Sequence, residues 1–83
     1  MKALLEEIEA ALPLMKWEKT VQDQAPKAPA MNHFTGRGEK WVVQLVTLDD
    51  GQRMGAASAG SVVCRLTDEL AERAETVARE ALR

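Results

Sequence analysis

The sequence predicts an α+β fold, a small antiparallel sheet covered by an N-terminal and a C-terminal helix, and three observations carry that prediction. Lys40 to Leu48 reads Lys-Trp-Val-Val-Gln-Leu-Val-Thr-Leu and is rich in β-branched residues, as a strand requires. Asp49, Asp50, Gly51 and Gln52 follow it, and Asp-Gly supplies the positive φ angle of a tight hairpin turn. At the end of the chain Val63, Leu66, Leu70, Ala74, Val77 and Ala81 recur at spacings of three and four among charged residues, the pattern of an amphipathic helix with one apolar stripe.

Taken in order, Leu4, Leu5, Ile8, Ala11 and Leu12 share one helical face while Glu6, Glu7 and Glu9 occupy the other. Pro13 disfavours helical geometry at Leu12 and ends or redirects this helix. Residues 14–22 fit two patterns: Leu14, Trp17 and Val21 have helical spacing, whereas Trp17, Lys19 and Val21 alternate as in a strand. Asp23 to Gly38 contains Pro26, Pro29, Asn32, Gly36 and Gly38 and reads as a long loop, about 23–38. The hairpin at about 40–57 follows, its return strand of Arg53 to Ala57 holding Gly55, Ala56 and Ala57, small enough to admit a helix closely. Two boundaries then compete. The unbroken stripe from Val63 favours a closing helix from Ser61 to about Leu82, and the paired valines favour a third strand over 62–66 with Thr67 as the N-cap. Periodicity is the stronger signal, so the long helix is expected.

Eighty-three residues form one domain, 1–83, and although 46% are apolar only Trp17, Phe34 and Trp41 are aromatic. The core is therefore thin, which leaves room for a homodimer. A single cysteine, Cys64, excludes an internal disulfide and suits a reducing compartment. Acids interrupt the first leucines where a signal peptide would continue its apolar run, and no stretch approaches a membrane span. A cytoplasmic protein without membrane contact is expected. The net charge of -2 is segregated. Residues 1–24 carry three bases and five acids, 25–48 three and one, 49–66 two of each, and 67–83 three and five. Both ends are acidic around a basic middle.

Little in the chain resembles catalytic equipment, and no enzyme activity, cofactor or metal is expected. His33 is the sole histidine, and His33 with Cys64, 31 residues apart, shows no metal-ligand spacing. Cys64 as a nucleophile would need His33 as its base; a small core residue is the simpler reading. Neither Gly36-Arg37-Gly38 nor the stretch from Gly55 to Gly60 matches a phosphate loop, and both serve turns or close packing. Acid pairs such as Glu6 with Glu9 lie on a solvated helix face, where they can engage a basic partner.

The candidate binding residues are Lys27, His33, Phe34, Arg37 and Lys40 of the basic middle, Arg53 of the hairpin, and Glu6 and Glu9 of the acidic flank. Cations interleaved with aromatics can grip an acidic protein surface, phosphates or bases. With residues 16–22 as a strand, the order helix, three strands, helix resembles the double-stranded RNA-binding domain over most of the chain. That resemblance implies nucleic-acid binding, with Arg37, Lys40 and Arg53 on phosphates. The family's paired lysines at the start of the last helix are replaced here by Ser61-Val62-Val63-Cys64-Arg65, where only Arg65 could serve. Small acidic single-domain proteins without catalytic equipment also include phage-encoded inhibitors of host machinery, anti-CRISPR proteins among them. The leading expectation is a non-catalytic module that docks on another protein as an inhibitor or adaptor, and nucleic-acid binding is the alternative.

Overall fold

A computed structural model describes residues 2–22, 31–48 and 50–83. Helix α1 (Lys2–Ala11) runs into a single 3₁₀ turn, Leu12–Leu14, and strands β1 (Lys16–Gln22), β2 (Met31–Arg37), β3 (Val42–Leu48), β4 (Arg53–Ala59) and β5 (Val62–Arg65) precede helix α2 (Asp68–Ala81). The five strands form one antiparallel sheet in sequence order, and the apolar sides of both helices close one of its faces. The class is the expected α+β with two helices, but five strands replace the expected two or three.

Each departure has a physical cause. Pro13 ends α1 as expected and shapes the 3₁₀ turn, after which the Trp17 indole N–H donates to the Leu12 carbonyl at 3.1 Å and fixes the chain as it enters β1. The strand pattern of 14–22 therefore prevails. Residues 31–37 of the expected loop are instead β2, whose Phe34 and Gly36 face the core while Met31, His33 and Thr35 face away. Pairing on both sides, with β1 and β3, stabilises a segment whose own strand propensity is weak. Residues 23–30, the rest of that loop, lie outside the described residues.

The β3–β4 hairpin forms where Asp-Gly placed it. Gly51 has φ +93°, its N–H donates to the Leu48 carbonyl at 3.0 Å, and the Leu48 N–H donates to the Gln52 carbonyl at 2.8 Å. A second, shorter hairpin decides the competing boundaries in favour of the strand over 62–66. Gly60 at φ +61° opens a two-residue loop between Ala59 and Val62, and no non-glycine among the described residues, Ser61 included, has positive φ, which is the II′ arrangement. It turns the chain back along β4, so 62–65 is strand and the expected helix from Ser61 is replaced by one beginning after Thr67. The Thr67 hydroxyl accepts the Leu70 N–H at 3.2 Å, and Asp68 and Glu69 occupy the first turn, where a helix favours negative charge.

The registers sort the strands into rows that cross the sheet. Trp17, Gly36, Val43, Ala57 and Cys64 form one inward row, and Phe34, Leu45 and Gly55 form the next, with Leu66 seated at its end by its N–H to the Gly55 carbonyl, 2.9 Å. A Cβ on Gly55 would lie 2.9 Å from Leu66 Cδ1, so the glycine makes the space that Leu66 fills. Ile8 and Leu12 from α1, and Leu70, Ala71, Ala74 and Ala78 from α2, complete the core. Val63, assigned to the helical stripe by its spacing, is 72% exposed on the opposite face.

Candidate binding surface

Among the described residues the helices cover one face of the sheet and nothing covers the other, a division that an antiparallel sheet permits because each strand alternates its side chains between two sides. The uncovered face carries Lys16 and Glu18 from β1, Met31, His33, Thr35 and Arg37 from β2, and Val42, Gln44, Val46 and Leu48 from β3. Met54, Ala56 and Ser58 of β4 and Val63 and Arg65 of β5 complete it. It has two unlike ends. At one, Met31, Val46, Leu48 and Met54 form the apolar side of a hollow of about 490 Å³ that Gln52, Arg53 and Asp68 also line, with Met54 66% exposed. At the other, Lys16, Arg37 and Arg65 surround Val42, Ser58 and Val63.

Charge divides between the layers. Among the described residues the open face holds three cations and one carboxylate, Glu18, which pairs with Arg37 at 3.0 Å. Helices α1 and α2 together carry eight acids and three bases. The linear segregation of acidic ends and basic middle thus becomes a cationic sheet face backed by an acidic helical layer.

The residues selected from sequence do not assemble into one patch. Phe34 is 1% exposed, a core side chain, and so does not serve as a surface anchor. Arg37 lies on the open face. Lys40, in the β2–β3 turn, reaches back to α1, where its Nζ is 2.9 Å from Glu7 Oε1 and its charge lies 5.5 Å from the Trp41 ring centroid. The Trp41 indole N–H also donates to Glu7 Oε1 at 3.2 Å, and these two hydrogen bonds hold the Glu7 carboxyl below its ordinary pKa. Arg53 faces α2 and pairs with Glu75 at 3.0 Å. Glu6 and Glu9 are exposed on α1, beside the groove between the two helices, with Glu9 3.9 Å from Arg73. Lys27 lies outside the described residues.

His33 and Cys64 are on opposite sides of the sheet with two strands between theirs: His33 faces outward, whereas Cys64 is 4% exposed against Ala57 in the core. The geometry separates the one base from the one thiol. The His33 Nε2 atom is buried and has no hydrogen-bond partner among the described residues. No helix among the described residues is long and apolar enough to cross a membrane.

Sequence reasoning missed Lys16, Met31, Val46, Leu48 and Met54 as surface residues and weighed Arg65 only as a phosphate contact. Their signal was the alternation within β3: Val43, Leu45 and Thr47 point inward, so Val42, Val46 and Leu48 are a second, outward apolar set. No protein-family model, curated protein or solved structure matches the chain.

Proposed function

We propose that this protein is a non-catalytic binding module that docks on another protein through the open face of its sheet, and that the surface it covers is acidic around an apolar protrusion. The observation that carries this reading is the pairing of an exposed apolar hollow at Met31, Val46, Leu48 and Met54 with a cationic end at Lys16, Arg37 and Arg65. An apolar side chain in the hollow would supply the anchor, and carboxylates opposite the cations would set orientation and hasten encounter. Covering its partner's surface in this way would make the protein an inhibitor or an adaptor. The separation of Cys64 from His33 supports a non-catalytic role, since a thiol nucleophile would need that base within hydrogen-bond reach.

Nucleic-acid binding has less support. All three aromatic side chains are buried, Arg37 and Lys40 already face carboxylates, and Arg53 turns to the helix side, so these positions present neither a stacking platform nor one row of cations for a nucleic-acid backbone.

The test is capture from native host extract by the tagged protein, compared with a Lys16→Glu/Arg65→Glu variant and a Met54→Asp variant whose folds are checked by circular dichroism. A specific protein retained by the parent and by a Glu72→Lys control, but lost from both open-face variants, is the expected result. Equal retention by all four proteins, or no specific protein at all, overturns the reading.

A further inference from the structure

A third inward row of the sheet is polar where the first two are apolar. In register across β2, β3 and β4 it reads Asn32, Thr47, Arg53, and α2 lays Glu75 and Arg79 over it. These five side chains, with the backbone near the β3–β4 turn, line a cavity of about 210 Å³. Thr47 is only 4% exposed, and its hydroxyl is buried without a hydrogen-bond partner among the described residues. A buried hydroxyl without a partner is a cost to the fold, so its presence here asks for a ligand or a water.

The two arginines are disposed alike. Arg53 directs its Nε at Glu75 Oε1, 3.0 Å, and Arg79 directs its Nε at Glu75 Oε2, 2.8 Å; neither has another hydrogen bond among the described residues. Glu75 therefore holds two guanidinium groups side by side and neutralises one charge of the two. Each keeps terminal N–H donors for a second acceptor. The Arg79 guanidinium also rests 5.1 Å from the Phe34 ring centroid, which restrains its swing. Two held guanidinium groups, a buried hydroxyl donor and the Asn32 amide form a donor-rich pocket of net positive charge.

We infer that this pocket binds a small tetrahedral oxyanion of the phosphate class, with Arg53 and Arg79 on its oxygens and Thr47 donating from the buried side. The site lies on the helix side of the sheet and adjoins the hollow of the open face, with which it shares Leu48, Gly51, Gln52 and Arg53, but the inference does not rest on the docking reading. A free phosphate and the end of a small phosphomonoester present the same chemistry.

The test is titration of the whole ¹⁵N-labelled protein with inorganic phosphate, and separately with O-phosphoserine, at constant ionic strength set by sodium chloride. The expected result is saturable shifts at the Thr47 amide and at the Arg53 and Arg79 Nε–H resonances. Tighter binding of inorganic phosphate points to the free ion, and tighter binding of O-phosphoserine to a phosphomonoester. Thr47→Val conserves shape, so a folded variant with affinity reduced several-fold assigns the hydroxyl to the ligand. Arg79→Lys, which keeps the charge but loses the planar fork, is expected to lose about tenfold. Shifts that never saturate, that scatter over surface lysines, or that persist unchanged in both folded variants overturn the inference.

Discussion

Trp17 and Gly36 stand opposite each other on β1 and β2, and the indole covers the glycine so closely that a Cβ at position 36 would lie 2.8 Å from its Cζ2 and Cη2 atoms. The ring takes the place of the side chain that the glycine lacks. This pair seals the core beside an edge strand, where a strand glycine would otherwise leave a hole.

Gly36→Ala is therefore expected to destabilise the protein by about 1–3 kcal/mol, the usual range for forcing one extra carbon into a packed core. The cost should fall when Trp17→Phe is introduced with it, because the smaller ring vacates part of the disputed space. Urea denaturation of the two single variants and the double variant measures this. Strictly additive effects would show that the ring and the glycine are not coupled.

The Thr67 cap gives a second measurable quantity. Thr67→Ala removes the acceptor for the Leu70 N–H and should cost about 1 kcal/mol, whereas Thr67→Ser keeps the oxygen and should cost little. If the helix began at Ser61 instead, residue 67 would be interior and alanine would be neutral or favourable. The difference in urea midpoint between the two variants decides the boundary.

That boundary illustrates how much of the fold the sequence discloses. The Asp-Gly turn and Pro13 act on their immediate neighbours, so the hairpin and the end of α1 were legible. β2 was not, because Asn32 and Gly36 are tolerated only through partners 7 to 19 residues away in β1 and β3. Val63, Leu66 and Leu70 fit a helical spacing by coincidence: Val63 faces outward from a strand, Leu66 fills the space at Gly55, and Leu70 alone belongs to α2. Of the candidate site, the cations were visible but their engagements were not. Arg53 and Lys40 contact acids 22 and 33 residues distant, in helices whose packing no local pattern specifies.

Glu75 should make stability depend on pH. Burial pushes its carboxyl pKa up, but hydrogen bonds from Arg79 and Arg53 and their charges outweigh this and leave it below the ordinary 4.5. A carboxyl with a lower pKa in the folded than in the unfolded chain stabilises fully above the unfolded value and loses that contribution as pH falls through the folded one. The parent should therefore exceed Glu75→Gln in stability at pH 7, and the gap should narrow as pH falls below about 4.5. Urea midpoints at pH 7 and pH 3 test this; a gap that is constant, or that widens in acid, contradicts the pairing.

Cys64 supplies the last prediction, since its thiol distinguishes a core residue from a reactive one. It is 4% exposed, faces Ala57, and its Sγ lies 3.8 Å from the Arg65 carbonyl oxygen. A disulfide reagent can reach it only when β5 opens, so labelling at neutral pH should be much slower than for a free thiol and should accelerate with sub-denaturing urea. His33 is on the other face of the sheet, so His33→Ala should leave the rate unchanged after correction for stability. A native rate matching a free thiol, or one that falls specifically in His33→Ala, would place the thiol at the surface or beside its base and restore a nucleophilic role. Slow, urea-dependent labelling instead identifies Cys64 as packing, the small residue that lets the shortest strand close over the alanines of β4.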